Sequence, residues 1–473
     1  MDDIVRLSAT GLSTAIHARA VSCREVMAAY LDRIDRINPK INAIVSLRPQ
    51  AELIAEAEAA DHALDAGQSR GFLHGFPFAI KDLSEARGLR CTYGSAIYAD
   101  YIPDFDDIHV ERIRAAGAII IGKTNAPEMG LGSHTYNTVF GATRNPYDLM
   151  RSAGGSSGGA AAALAARLVP VADGSDMMGS LRNPAAFNNV VGFRPSFGRV
   201  PSLGTELFHG QLAANGPMGR SVADVAALLD IQAGYDRRDP LSLPAEDHAV
   251  RKGSQFSRAR IGWLGDCGGY LPFEPGVLDL CRDALEIFAA MGASVETVDA
   301  GFDMNRLWQN WRTLRHFLVA GGQGADYADP SRRARMKPEM IWEIENGLGL
   351  SAAEVFAASA VRSDWYRHVL SLFERFDFLI LPSAQVFPFD VNLTWPNEIV
   401  GKPMDTYHRW MEVVIGPTMA GLPVAAMPAG FSANGLPMGI QIIGPPRADR
   451  AVLEMAAAYE GATTWLERWP ELD

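Results

Sequence analysis

Two short loops rich in glycine and serine are the part of this chain that could carry chemistry. Residues 154–159 read GGSSGG and residues 174–180 read GSDMMGS, with an apolar run between them. Glycine lets the backbone turn sharply and come close to a ligand, and a serine hydroxyl beside a base can act as a nucleophile. Asp176 and Arg182 place opposite charges at the second loop, which a flexible linker does not need. The pattern predicts a catalytic site built on these loops.

Lys81 directly follows an apolar, strand-like run at residues 76–80. Burial disfavours the charged form of a lysine and lowers its pKa, so a lysine in this position is a candidate general base near neutral pH. Taken alone, the stretch also fits an ordinary surface lysine beside Asp82.

Residues 117–124, GAIIIGKT, match the phosphate-binding loop pattern G-x-x-x-x-G-K-[ST]. That motif needs a flexible loop between its glycines, placed after a strand and before a helix. Here the intervening Ala-Ile-Ile-Ile favours a strand, and a helical pattern precedes it. The sequence therefore argues against nucleotide binding at this position.

Residues 154–158 also match G-x-S-x-G, the nucleophile elbow of α/β-hydrolases, with Ser156 as the nucleophile. An elbow follows directly on a buried strand, whereas residues 144–152 are polar and rich in turn-forming residues. A Ser-His-Asp esterase that uses Ser156 is therefore an alternative and not the favoured interpretation.

The composition narrows the classes of partner and ligand. A formal net charge of −12 argues against nucleic acid or an anionic membrane as the main partner. The ten histidines form no HExxH or similar cluster, so we expect no metal site. The four cysteines are widely spaced, and the amino terminus lacks a basic segment followed by an apolar core. These features predict reduced thiols and a cytoplasmic protein.

Helical and strand patterns alternate along the chain, without an internal repeat. At about 150 residues per domain the length fits roughly three domains, and one large α/β domain is also compatible. Residues 303–376 read mainly as helix, with Trp308, Trp311 and Phe317 as aromatic surface. The segments expected to shape a pocket are residues 203–212, 305–317 and 385–410.

Along nearly its whole length the chain resembles the amidase signature hydrolases. The matching segments, in the order and spacing of that family, are residues 80–82, 122–125, 154–159, 174–182, 184–187, 191–199, 216–218 and 421–424. The resemblance implies one α/β domain over residues 1–473, with a mixed β-sheet core surrounded by helices and with no metal or cofactor. Its parts would be an amino-terminal helical layer (1–66), a signature core with the catalytic residues (72–220), and a region that completes the sheet and adds pocket loops and outer helices (221–473).

The resemblance also implies roles for individual residues, carried over by position. Ser180 corresponds to the nucleophile, Ser156 to a bridging serine in a cis peptide, and Lys81 to the base. The remaining implied residues are Ser157, Ser175, Asp176 and Arg182 as polar support, the backbone N–H groups of Met177, Met178, Gly179 and Ser180 as the oxyanion hole, and Gly130 as a backbone contact with substrate.

One position departs from the family's usual pattern. Where two glycines commonly precede the nucleophile, this chain has Met178-Gly179. The Met178 side chain would narrow the acyl pocket or point away from the substrate. The departure therefore leaves acyl specificity open and does not affect the triad.

Together these features predict an amidohydrolase that cleaves the carbon–nitrogen bond of a small amide through a serine acyl-enzyme, with water as second substrate. The Phe, Trp and Tyr content of the pocket segments favours an apolar or aromatic amide; carbamates and esters stay open because they share the acyl chemistry. The alternative is the A subunit of a glutamine-dependent aminoacyl-tRNA amidotransferase, which works with partner chains, although the glutamine that usually follows the arginine in that protein is Asn183 here. For the favoured enzyme we expect neither nucleic acid nor membrane as a partner, and a homodimer is compatible with the sequence.

Overall fold

A mixed β-sheet runs through the centre of the computed structural model, which describes residues 2–204, 206–250 and 256–472. The strands are β1 (Ile44–Val45), β2 (Pro77–Lys81), β3 (Ile119–Thr124), β4 (Arg144–Asn145), β5 (Asp148–Ser152), β6 (Val171–Asp176), β7 (Val191–Arg194), β8 (Ala214–Gly219), β9 (Arg260–Trp263), β10 (Ser294–Thr297), β11 (Phe378–Pro382), β12 (Glu398–Ile399), β13 (Lys402–Pro403), β14 (Val424–Phe431) and β15 (Pro437–Ile443).

Within the described residues, eight strands form the central sheet in the order β10-β9-β11-β15-β14-β7-β8-β6. Strands β10, β9 and β11 run parallel to one another, and the other neighbours are antiparallel. A three-stranded sheet, β1-β3-β2, lies beside it, and β4-β5 and β12-β13 form small hairpins. The predicted single α/β domain with a mixed sheet is confirmed.

Helices surround these sheets. They are α1 (Asp2–Arg6), α2 (Ala9–His17), α3 (Cys23–Ile41), α4 (Gln50–Asp65), α5 (Ile108–Ala115), α6 (Gly158–Ala165), α7 (Arg182–Phe187), α8 (Val222–Gln232), α9 (Val277–Ala290), α10 (Met304–Ala328), α11 (Pro330–Arg333), α12 (Pro338–Leu348), α13 (Ala352–Arg375), α14 (Ile415–Met419) and α15 (Asp449–Gly461). Short 3-10 helices lie at Ala96–Tyr98, Glu128–Gly130, Arg409–Val414 and Trp465–Glu467. Within the part of the chain that the structure describes, no helix combines the length and the apolar character needed to cross a bilayer.

Serine side chains fix where several helices begin. Ser22 caps α3 in a reciprocal capping box with Glu25, and Ser221 caps α8 by accepting the N–H of Asp224. Each bond satisfies a backbone N–H that has no acceptor inside the first helical turn.

The two segments that carry the predicted base and nucleophile each follow a buried strand. β2 is buried throughout and ends at Lys81. It pairs in parallel with β3, so the GAIIIGKT segment is a buried strand and not a phosphate-binding loop, as its apolar residues predicted. β6, at the edge of the central sheet, leads to the loop that contains Ser180.

The apolar run between the two glycine-rich loops forms α6, a connecting turn and the start of β6. Every residue of α6 is buried. Its glycines permit a very close approach, since a Cβ added at Gly159 would lie 2.3 Å from the backbone nitrogen of Asn125. This packing holds Ser157, the residue that precedes α6, against the neighbouring sheet.

The aromatic residues of α10 differ from the expectation of an aromatic surface. Trp308 and Trp311 are both 0% exposed, whereas Phe317 is 36% exposed. The two tryptophans are three residues apart on one face of the helix, and that face is turned inward. The expected pocket loop 305–317 is therefore part of a helix, while the expected loop 203–212 includes residue 205, which lies outside the described residues.

Candidate active site

Lys81 lies at the centre of a buried cluster of serine hydroxyls. Its Nζ is 2.8 Å from Ser156 Oγ, 2.8 Å from Ser157 Oγ and 3.0 Å from Ser175 Oγ. Lys81 is 0% exposed, so the interpretation of a surface lysine beside Asp82 is wrong. The structure thus brings together four of the residues that the sequence singled out.

The environment of Lys81 suits a base. Burial lowers the pKa of Lys81 from 10.5 to about 7, because an ammonium group loses its hydration there, and the carboxylates of Asp173 and Asp176 offset this only in part. A lysine with such a pKa has a large neutral fraction near pH 7 and can accept a proton from an adjacent hydroxyl.

Ser156 lies in the loop between β5 and α6, and the Gly155–Ser156 peptide bond is cis. The strand before it, β5, belongs to a two-stranded hairpin outside the central sheet. His134, the histidine nearest in sequence, has its Nδ1 2.7 Å from Ser152 Oγ, while Ser156 Oγ faces Lys81. The nucleophile elbow with a Ser-His-Asp triad at Ser156 is therefore contradicted by the local structure.

Ser180 lies in the tight turn that connects β6 to α7. It is 7% exposed, and its carbonyl accepts the N–H of Ser157 at 3.3 Å. That bond places the predicted nucleophile beside the loop of Ser156. Gly179, immediately before it, has a φ of 79°, a left-handed conformation that glycine adopts readily and most other residues do not.

Asp176 organises this turn. Its two oxygens accept the N–H groups of Gly179 at 2.9 Å and Leu181 at 3.1 Å. Arg182 donates to both oxygens at 2.9 Å, and Arg194 lies 3.0 Å from Oδ1. Burial alone would raise the pKa of Asp176, but the two guanidinium groups hold it well below its usual range. The carboxylate stays charged near neutral pH and ties the turn to its arginine partners.

The N–H groups ahead of Ser180 are not equivalent. That of Gly179 donates to Asp176. Among the described residues, the donors left for an oxyanion are therefore those of Met177, Met178 and Ser180. The Met178 side chain is 6% exposed and packs in the main core, whereas Met177 is only partly buried. Met177 is therefore the more accessible of the two methionine side chains.

Gly130 lies opposite the serine cluster. A Cβ added at this position would lie 3.6 Å from Ser156 Oγ and 2.9 Å from Leu83 Cδ1, and its φ is 71°. Only glycine is free of strain here, and its backbone consequently comes close to Ser156. The carbonyl of the next residue, Leu131, accepts a hydrogen bond from Lys337 Nζ at 2.7 Å.

A buried polar cluster that the sequence did not reveal stands beside the turn. Arg315 donates through Nε to Glu343 at 2.5 Å and through Nη2 to the Tyr407 hydroxyl at 2.7 Å. The Tyr407 hydroxyl donates to Glu343 at 2.6 Å, and Arg315 Nη1 lies 3.3 Å from Met177 Sδ. Because these residues come from separate parts of the chain, no local motif could have indicated the cluster.

Two recesses lie near these residues. One, of about 350 Å³, is lined by Ser175 and by part of the loop after β7. Another, of about 260 Å³, is lined in part by Trp342, Trp395 and Tyr407. A Cβ added at Gly132 would lie 3.7 Å from the Tyr407 ring, so the aromatic recess adjoins the segment that contains Gly130.

Among the described residues, no group of three or more His, Cys, Asp or Glu side chains has an arrangement that could hold a metal ion. The four cysteines are buried and unpaired. The arrangement of lysine, serines and backbone N–H groups can perform nucleophilic acyl transfer with the chain's own groups.

The chain is similar to known proteins in both sequence and structure. A family model described as Amidase matches residues 25–453. An acylamidase from Rhodococcus erythropolis is 34% identical, and the match covers 98% of this chain and 97% of that protein. The A subunit of glutamyl-tRNA(Gln) amidotransferase from Acidothermus cellulolyticus is 35% identical, over 98% of this chain and 95% of the relative. The crystal structure of a bacterial aryl acylamidase of the amidase signature family superimposes with a TM-score of 0.92 at 31% identity, covering 98% of each chain.

Proposed function

This chain belongs to the amidase family, and from that premise we propose that it is a serine amidase with Ser180 as nucleophile, Ser156 as proton relay and Lys81 as base. Membership makes it an amide-cleaving hydrolase. The roles of the three residues rest chiefly on one observation, the buried amine of Lys81 at 2.8 Å from Ser156 Oγ.

Acylation requires neutral Lys81. Its amine takes the proton of Ser156 while Ser156 takes the proton of Ser180, and the oxygen of Ser180 bonds to the amide carbonyl carbon. The former carbonyl oxygen becomes negatively charged. The N–H groups of Met177, Met178 and Ser180 would stabilise that charge, a contribution of about 3 kcal/mol per donor in comparable sites.

The carbon–nitrogen bond then breaks. The leaving amine takes a proton from Ser156, which takes one back from the Lys81 ammonium, so the acyl group stays on Ser180 and the base is neutral again. Water repeats the sequence on the ester. It gives a proton through Ser156 to Lys81, its oxygen attacks the acyl carbon, and Ser180 leaves with the returned proton as the carboxylic acid is released.

We further propose an apolar or aromatic amide as the substrate. The aromatic recess of Trp342, Trp395 and Tyr407 supports this class, as does the similarity to an acylamidase and to an aryl acylamidase. The Tyr407 hydroxyl is hydrogen-bonded to Arg315 and Glu343, which fixes the position of this ring. Carbamates and esters share the acyl chemistry and belong in the same test.

A second candidate function is that of an amidotransferase component, favoured by the 35% identity to the A subunit from Acidothermus cellulolyticus. In that case the same triad would act with partner chains. The resemblance places a glutamine in such A subunits at the position that Asn183 occupies here. Asn183 is buried, and its Oδ1 accepts the N–H of Gly155 at 3.3 Å. This side chain therefore supports the loop of Ser156.

A substrate panel distinguishes the two candidates. Wild-type protein and Ser180→Ala are assayed with acylanilides, aliphatic primary amides, carbamates, p-nitrophenyl esters and glutamine; Ser363→Ala, which changes an exposed serine on α13, is the matched control. We expect acylanilides to give the highest kcat/KM among the amides, and Ser180→Ala alone to abolish turnover. Hydrolysis restricted to glutamine, or activity that appears only with added partner chains, would favour the amidotransferase and contradict the acylamidase.

A further inference from the structure

Asp173 connects the strand of the proposed base to the strand that leads to the proposed nucleophile. It lies on β6 and is 0% exposed, and its Oδ1 accepts the backbone N–H of Lys81 at 3.0 Å. Since β2 belongs to the three-stranded sheet and β6 to the edge of the central sheet, this hydrogen bond joins the two sheets at the residue that carries the base.

The other oxygen of Asp173 faces a histidine. His109, on α5, has its Nε2 3.5 Å from Asp173 Oδ2, and each side chain is 1% exposed. In the part of the chain described by the structure, neither ring nitrogen of His109 nor Oδ2 makes a hydrogen bond of good geometry. A buried carboxylate with so few partners is costly to desolvate, and its single good bond is the one to Lys81.

Other charged groups surround the pair. The charge of Asp176 on β6 also acts on Lys81, but this carboxylate is already bound by two arginines. Lys123 on β3 lies 3.3 Å from the carbonyl oxygen of Lys81. Asp107, whose pKa burial raises to about 7, interacts electrostatically with His109 and accepts the backbone N–H of Glu85 at 3.0 Å.

We propose that Asp173 is a positioning residue for the base, which fixes the backbone of Lys81 and supplies the negative charge that favours its ammonium form during acylation. The inference rests on the proposed role of Lys81. Burial of Lys81 makes a neutral amine available but also a weak base. The Asp173 carboxylate, held 3.0 Å from the backbone nitrogen of Lys81, opposes this effect.

Asp173→Asn tests this role, because asparagine keeps an oxygen that can accept the Lys81 N–H and removes the charge. Without that charge the pKa of Lys81 falls, so the acid limb of the pH–rate profile moves to lower pH, by about one unit for a nearby carboxylate. The rate is the second-order inactivation by phenylmethanesulfonyl fluoride, which needs no knowledge of the natural substrate.

Asp224→Asn is the matched control. Asp224 lies on α8 and is also 0% exposed. Like Asp173 it accepts a backbone N–H through one carboxylate oxygen, in this case that of Thr10 at 2.9 Å. We expect this variant to leave the acid limb in place whatever it does to the melting temperature. Asp173→Ser, which removes the charge and keeps a hydroxyl, serves if the asparagine variant does not fold, and it should move the limb in the same direction.

An acid limb that stays at the wild-type pH in the folded Asp173 variants, or that moves to higher pH, would overturn the inference. If Lys81→Arg is inactive in the same assay, only the role of Asp173 has failed. If Lys81→Arg reacts normally, the proposed function has failed and the inference with it.

Discussion

Replacing Lys81 by arginine removes the proposed base while keeping its positive charge, since a guanidinium does not lose its proton in proteins. With a pKa of about 7, about half of the Lys81 side chains are neutral at pH 7, whereas at the ordinary value of 10.5 only about 0.03% would be. Burial therefore raises the competent fraction by about three orders of magnitude. Lys81→Arg is expected to lose at least that factor in kcat/KM.

The assay is the pH dependence of kcat/KM for an acylanilide between about pH 5 and about pH 10. Because the neutral amine is the active form and its fraction grows with pH, wild-type activity should rise about tenfold per pH unit below 7 and level off above about 8. Lys402→Arg, which changes an exposed lysine on β13, is the control and should keep the wild-type profile. Thermal unfolding confirms that each variant is folded.

Near-normal turnover by Lys81→Arg would refute the base assignment. A wild-type profile that is flat across pH 7 would refute the shifted pKa on which the magnitude depends.

Further predictions concern specificity, packing and metals. Met177→Ala should change the ratio of kcat/KM between short and bulky acyl groups. Met178→Ala should leave that ratio unchanged and lower the free energy of unfolding by about 2–5 kcal/mol, measured in urea; equal changes of selectivity in both variants would contradict the assignment of Met177 to the pocket. Gly159→Ala should lower the free energy of unfolding by about 1–3 kcal/mol or more, because its Cβ would lie 2.3 Å from Asn125 N. Gly324→Ala, in open space on α10, should raise it by about 0.5–1 kcal/mol. A higher melting temperature for Gly159→Ala than for Gly324→Ala would refute this packing. Activity should survive dialysis against a chelator, and a loss that zinc or manganese restores would show that a metal takes part.

The positions of the serines that we propose as catalytic could be singled out because they lie in short segments whose residue types are dictated by geometry. A glycine next to Ser180 is needed for a left-handed turn, and small residues around Ser156 are needed for close packing. The apolar strand before Lys81 left a buried lysine and a surface lysine as alternatives, and the structure shows that Lys81 is buried. Because these conformational and packing requirements involve residues close together in the chain, they can be recognised as a sequence motif.

Contacts between distant segments left no such pattern. Arg315, Glu343 and Tyr407 meet only after α10, α12 and the segment before α14 have packed together. Helical spacing shows that Trp308 and Trp311 share a face, but not whether that face is turned to the core. For the same reason the sequence left open where the Met178 side chain points. Its place in the hydrophobic core depends on residues that are distant in the chain.

The most direct test of the central claim is to identify the residue that becomes acylated. The protein is treated with a sulfonyl fluoride at about pH 8, above the proposed pKa of the base, and the adduct is located by peptide mass spectrometry. We predict one adduct on Ser180, absent from Ser180→Ala and formed far more slowly in Lys81→Arg. An adduct on Ser156 in the wild-type protein would contradict the proposed triad and make the bridging serine the nucleophile.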